Sequence, residues 1–354
     1  PFQALATCME IVKAIESGDP VNFESNFPVH QDGSCNGLQH YAGLGKDKDG
    51  GIAVNLVDGD IPSDVYTRVL DIVHKVMDED SKIDANDADP LQRKKGEIAR
   101  AIQRFVNRKT IKQTVMTSVY GVTFIGARSQ VQARLEEAWL KDKFGVEGTE
   151  GPKMISQQDE EFLYEAAGYL GRLTLKSLEQ MFHSARGIMD WLAEVSKRIS
   201  MEGQVMSWIT PLGLPVMQPY REESHYMVKT ALQSILVTRD DETLPVSKRK
   251  QRTAFPPNFV HSLDATHMMM TCLKMKNAHK TFAAVHDSYW THPCDVEFMN
   301  KVLRECFVDL YSKPILEDLK ASLERRYPGV QLGEIPERGQ LDLEEVKKSK
   351  FFFH

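Results

Sequence analysis

Apolar residues recurring at three- and four-residue intervals run through most of this chain, while stretches that read as strands are few and short. Val65, Val69, Ile72, Val73 and Val76 follow Pro62-Ser63 on one face of a 3.6-residue period, so a helix is expected to start there. Ile188, Trp191, Leu192, Val195 and Ile199 mark another, and the segment from about Glu97 to Tyr120 is helical in character. Phe27-Pro28-Val29, Leu214 to Met217 and Phe282 to Val285 are the strand candidates. Loops are expected at Asp78 to Pro90 and Gly145 to Pro152, and no internal repeat interrupts the pattern. The fold class predicted is α+β, mostly helical, with a small sheet whose strand ends carry polar residues. At 354 residues, one large core or two smaller ones can form.

Charge bears on partners through its distribution. The formal net charge is −6, which taken alone speaks against nucleic acid. Yet Arg93 to Lys112 holds eight basic residues against the single acid Glu97, and a second basic knot lies at Lys248 to Arg252. Acids concentrate in Asp78 to Asp89 and Glu147 to Glu161, so an acidic chain can still present a basic groove. No apolar run approaches the length that spans a bilayer. The five cysteines are scattered without a C-x-x-C pair, which suggests neither a disulfide framework nor a zinc site and fits a reducing compartment. The opening at Pro1, without an initiator Met, reads as a piece of a longer polypeptide.

Two aspartates stand where chemistry is expected. An apolar strand ends at Asp32, Gly33 lets the backbone turn closely, and Ser34 can cap a helix carrying Leu38, Tyr41 and Leu44. Phe282 to Trp290 reads as a tight hairpin with Asp287 at its tip. Carboxylates so mounted can hold a pair of Mg²⁺ ions about 3.5–4 Å apart, an arrangement that serves in-line phosphoryl transfer. The plainer alternative is a helix cap and a turn residue. His286-Asp287-Ser288 is no hydrolase triad, because neighbours on a hairpin cannot converge as a triad must.

The segment Arg108 to Gly121 places Lys112, Met116 and Tyr120 within a helical sector of about 80°, with about 12 Å of rise from Lys112 to Tyr120. That is roughly the reach from a nucleotide's terminal phosphates to its sugar and base. Arg100, Arg104, Arg108 and Lys112 recur every fourth residue and can lay charge along phosphates. Gly121 ends the helix and leaves room beside the tyrosine ring. A solvated basic face with Tyr120 capping a core is the bland alternative. His261, Asp264 and His267 share a helical side, where a buried, hydrogen-bonded histidine is a commoner outcome than a metal set.

Taken in order, D-G-S-C-N-G-L-Q-H-Y at Asp32, R-K-T-I-K-Q-T-V-M-T-S-V-Y-G at Arg108 and V-H-D-S at Val285 closely resemble motifs A, B and C of the single-subunit, phage-type DNA-dependent RNA polymerases. P-P-N-F-V-H-S-L-D at Pro256 is similar to a further signature of that family. The resemblance covers essentially the whole chain and leans to the organellar branch, as in the C-terminal catalytic part of a mitochondrial RNA polymerase. It implies a right-hand architecture with a small antiparallel palm sheet: palm at 1–60 with motif A, mainly fingers at 61–240 with motif B, and palm again at 241–354 with motif C. It implies Asp32 and Asp287 as catalytic metal ligands with the Gly33 carbonyl, and two Mg²⁺ ions. Lys112 would face the triphosphate and donate a proton to pyrophosphate, with Arg108 and Met116 beside it. Tyr120 would select the ribonucleotide and gate translocation, Gly121 would belong to the same substrate-binding set, and His261 would contact a ribose or the RNA–DNA minor groove. Tyr66 matches a family tyrosine near the active site.

The partners implied are a DNA template, nascent RNA, ribonucleoside triphosphates and a mitochondrial initiation factor, in the mitochondrial matrix or, alternatively, a plastid. Upstream thumb and promoter-binding regions of the same polymerase are expected to lie outside this chain. A family A DNA polymerase usually has a glutamate where this chain has Gly37, and His-Asp-Glu where it has His286-Asp287-Ser288, so RNA synthesis is favoured. A catalytically inactive nucleic-acid-binding module would not need both aspartates and Lys112.

Overall fold

The computed structural model describes residues 2–144, 155–239 and 243–353, so the expected loop at Gly145 to Pro152 lies outside the described residues. The elements run α1 (Phe2–Glu16), β1 (Val29–Asp32), α2 (Asn36–Gly45), α3 (Lys48–Ala53), α4 (Val65–Ser81), α5 (Pro90–Ile102), α6 (Arg108–Ser118), α7 (Phe124–Phe144), α8 (Gln157–Met181) and α9 (His183–Met201). Next come β2 (Ser207–Ile209), β3 (Pro215–Met217), β4 (Ser224–Lys229), β5 (Ser234–Arg239), α10 (Lys248–Asn277), β6 (Ala283–Val285), β7 (Ser288–Thr291), α11 (Val296–Tyr311) and α12 (Ile315–Arg326). The expected α+β, mostly helical class is what the chain adopts.

At the centre sits α2, whose ten residues are all buried. It packs against α9 and α10, and α10 also packs against α11. A helix buried all round must satisfy its polar side chains internally. Gln39 Nε2 donates to the carbonyls of Val54 and Phe352, both at 2.9 Å. His40 Nδ1 lies 2.6 Å from the Tyr311 hydroxyl.

Several helix ends differ from the sequence expectation for identifiable reasons. The helix expected from Pro62-Ser63 begins at Val65, because Asp64 is the cap and accepts from the Tyr66 amide. It continues to Ser81, so the loop expected from Asp78 starts at Lys82. Ser34 does not cap α2: Cys35 holds that position in a left-handed conformation (φ 65°), and the Ser34 hydroxyl donates to the Phe351 carbonyl.

The stretch Glu97 to Tyr120 is two helices. A 3₁₀ turn at Gln103–Phe105 breaks it, and Asn107 opens α6 through a capping box with Thr110. The basic stripe therefore does not run as one line. Arg100 caps α4 through the Ser81 and Ile83 carbonyls at 2.8 and 2.9 Å, and Arg104 pairs with Asp142 at 2.7 Å.

Among the described residues three small antiparallel sheets form, the largest in the order β1-β7-β6. The C-terminal segment returns beneath it. Gly33 bridges to Phe353, Phe352 and Phe353 are buried, and Arg304 holds the approach through the Ser349 and Lys350 carbonyls.

Candidate active site

The register of the three-stranded sheet sets the geometry. Asp32 pairs with Ser288 across β1 and β7, and Val285 pairs with Ser288 across β6 and β7. Asp287, in the turn between β6 and β7, thus sits at the same end of the sheet as Asp32. Directly paired residues on antiparallel strands lie only about 5 Å apart. The turn is tight, and His286 adopts φ 56° to close it. Asp32 and Asp287 both line one open cleft of about 560 Å³. The Asp287 side chain is 35% exposed.

Across that cleft stand Arg108, Lys112 and Met116 of α6, with Tyr66 of α4. The Tyr66 ring is a platform for both cations: the Arg108 guanidinium lies 4.8 Å and the Lys112 ammonium 5.7 Å from its centroid. Arg108 Nε donates to Asp64 Oδ2 at 2.6 Å. Burial works against the Asp64 charge, but hydrogen bonds from Arg108 and Thr67 prevail and hold its carboxyl below the ordinary range. Lys112 forms no ion pair among the described residues. Beneath Tyr66 lies the Cys35 thiol, pushed up to about 11 by burial and therefore a poor nucleophile.

Tyr120 and Gly121 lie just past the end of α6 and line an adjoining cleft with His261 and with Arg249 and Lys250 of the second basic knot. Gly121 takes φ 76°, as its place at a helix end suggested. The Tyr120 ring stacks on His261 with centroids 4.6 Å apart, and His261 meets His286 edge-on at 5.2 Å. Burial first, then the charges of Cys35, Asp287 and Asp264, push the Tyr120 phenol up to about 12. Burial and the neighbouring His286 lower His261, which favours its neutral ring.

Gly37 does not face open space. A Cβ there would lie 2.8 Å from Val119 Cγ2 and 3.4 Å from the Tyr120 hydroxyl, so this glycine also admits the end of α6 against α2. His261, Asp264 and His267 form no common metal set. His267 is buried with Nε2 2.7 Å from the Leu303 carbonyl, and Asp264 is engaged by Asn36 and His40.

Comparison with known proteins decides the family. The model of the DNA-dependent RNA polymerase family matches residues 1–333. The chain belongs to this family. It is 50% identical over its whole length to the mitochondrial DNA-directed RNA polymerase 1B of Nicotiana tabacum, of which it covers 33%. It is 48% identical to the chloroplastic DNA-directed RNA polymerase 3 of Nicotiana sylvestris, covering 34% of that protein. DNA-directed RNA polymerase 2A of Nicotiana tabacum matches at 47% identity, with both chains fully covered. The chain thus spans about a third of the length of the first two relatives.

Within this polymerase chain, the sequence-predicted residues fall into two adjoining groups. Asp32, Gly33, Tyr66, Arg108, Lys112, Met116 and Asp287 share one cleft, and Tyr120, Gly121 and His261 share the next. Sequence reasoning missed Asp64 as the partner of Arg108, Cys35 beneath Tyr66, and Asn36 and His40 around Asp264. The clustering of Asn36, Gln39 and His40 in one short helical stretch was the available signal, since polar residues buried together must find partners.

Proposed function

We propose that this chain carries the nucleotidyl-transfer centre of an organellar DNA-directed RNA polymerase, extending RNA on a DNA template from ribonucleoside triphosphates. The observation that supports it best is the convergence of Asp32 and Asp287, from distant parts of the chain, at one sheet end facing Lys112 across a single cleft. In this reading the three-stranded sheet belongs to a palm and α6 to the fingers. The mitochondrial and chloroplastic names of its relatives favour an organelle, either the mitochondrial matrix or a plastid, where an initiation factor would assist it.

The donor set fits Mg²⁺: Asp32, Asp287 and the Gly33 carbonyl offer oxygen, and an open cleft admits water for the remaining positions. Two such ions, when bound, supply positive charge to the attacking and leaving oxygens. Lys112 and Arg108 take the triphosphate, Arg108 exchanging Asp64 for phosphate oxygens. The Lys112 ammonium holds the proton that the departing pyrophosphate requires. The Tyr120 phenol, kept protonated by its surroundings, offers a hydrogen bond to the ribose, with His261 stacked behind it.

The test is single-nucleotide extension of an RNA primer on a DNA template by the intact polymerase. Asp32→Asn and Asp287→Asn should each lower the rate by about 10³-fold, the equivalent of several kcal/mol of charge stabilisation. Template binding without incorporation by the unaltered protein would reduce it to a nucleic-acid-binding module.

A further inference from the structure

One carboxylate behind the hairpin tip is given no direct contact with metal or nucleotide in the chemistry above. Asp264, on α10, is only 4% exposed. Its oxygens face two different segments. Oδ1 accepts from Asn36 Nδ2 at 2.7 Å and lies 3.4 Å from His40 Nε2, both on α2. Oδ2 lies 3.4 Å from His286 Nε2, and His286 Nδ1 lies 3.1 Å from Asp287 Oδ1. A single buried group thus ties the helix that follows Asp32 to the hairpin that carries Asp287.

Burying a carboxylate is costly, and ion pairs that offset the cost seldom stabilise a fold more than apolar packing would. Its placement therefore calls for a role beyond stability. His286 occupies a left-handed conformation that non-glycine residues adopt only when neighbours hold them there. The ring that Asp264 engages is the one beside Asp287, and the same ring packs edge-on against His261, which stacks on Tyr120. Fixing it fixes the direction of the Asp287 carboxyl and the wall of the ribose side together. Partners that orient metal ligands in this way typically carry about 10–100-fold in metal affinity or activity.

We propose that Asp264 is a positioning residue of the polymerase centre, acting through His286 to aim the Asp287 carboxylate at its metal. This rests on the reading of Asp287 as a Mg²⁺ ligand given above.

The experiment is single-nucleotide extension by the intact polymerase, titrated in Mg²⁺, with Asp264→Asn, His286→Gln and their combination. Asp264→Asn keeps the shape and the Asn36 contact region while removing the charge. It should lower kcat by about tenfold or more and raise the Mg²⁺ concentration for half-maximal rate several-fold, while KM for the nucleotide changes less than about threefold. His286→Gln cuts the same link from its exposed end, so it carries the test if Asp264→Asn fails to fold. The double variant should lose no more than the worse single one. Full kcat with unchanged Mg²⁺ dependence in Asp264→Asn, or in His286→Gln where the former does not fold, overturns the proposal. So do losses that multiply in the double variant. Asp287→Asn separates the two readings: if it stays active, the metal assignment fails. If it is inactive while both positioning variants are normal, only the role of Asp264 fails.

Discussion

Two hairpins in this chain use the same pairing rules under very different support. In β4–β5, six residue pairs are in register, yet every residue of β4 is exposed, and Tyr226, Met227, Leu232, Ile235 and Leu236 face solvent. Its base is tied by an isolated bridge from Arg221 to Val246 and by Arg221 donating to the Leu244 carbonyl at 2.8 Å. In β6–β7 only three pairs are in register, but β1 adds a third strand, Tyr289 and Thr291 are buried, and Phe353 stacks on Tyr289 at 5.1 Å. Ladder length therefore does not make a rigid mount. An isolated two-stranded hairpin is marginal in water, whereas a third strand and packed side chains hold one in place. The Asp287 carboxylate, proposed above as a metal ligand, is carried by the shorter and better supported hairpin, as a ligand that must be held in place requires.

The largest effect that sharpens this contrast is loss of the packing under β7. Tyr289→Ala should cost about 3–5 kcal/mol, as large aromatic truncations in cores do, and hydrogen exchange at the β6–β7 amides should accelerate accordingly. Next comes the group that the docked hairpin faces. Lys112→Ala in the intact polymerase should lower kcat about 10²–10³-fold, because a charge beside the leaving group acts most strongly as charge develops there. A change confined to KM would make Lys112 a binding residue only.

Tyr120→Phe keeps the ring stacked on His261 and removes one oxygen. RNA synthesis should stay near normal while preference for ribo- over deoxynucleotides falls at least about tenfold, or about 1.4 kcal/mol, read as the ratio of kcat/KM values. Because burial pushes the phenol up to about 12, it keeps its proton throughout the neutral and mildly alkaline range. The preference should accordingly be flat between about pH 7 and about pH 9. The smallest effect belongs to the projecting hairpin. Leu236→Ser, at a side chain already 62% exposed, should change stability by no more than about 0.5 kcal/mol and leave nucleotide addition untouched.

The parts of the site legible in the sequence are those whose chemistry depends on local spacing. Asp32 at a strand end, Asp287 at a hairpin tip and Gly121 past a helix end are all where short-range rules put them. Lys112 and Met116 share a face of α6 as their spacing implies, but Tyr120 lies beyond the helix and turns into the neighbouring cleft. What stayed hidden depends on contacts between distant segments. The regular spacing of Arg100, Arg104 and Arg108 suggested one stripe, yet a 3₁₀ turn divides it and each arginine turns to its own acceptors. Asp264 looked like one member of a helical trio, and only tertiary packing reveals that it faces α2 on one side and His286 on the other. Ser34 lost its expected capping role to the returning C-terminal segment, whose position no local pattern encodes.

The central claim is that Asp32 and Asp287 serve one metal centre. Fe²⁺ can be placed in the intact polymerase in place of Mg²⁺ and made to generate hydroxyl radicals with ascorbate and peroxide, which cut the backbone nearest the ion. The account predicts cleavage at two places together, around Asp32–Gly33 and around His286–Ser288, suppressed at both by excess Mg²⁺ and by Asp287→Asn. Cleavage at one of these segments without the other, or at both but unaffected by Asp287→Asn, would contradict it.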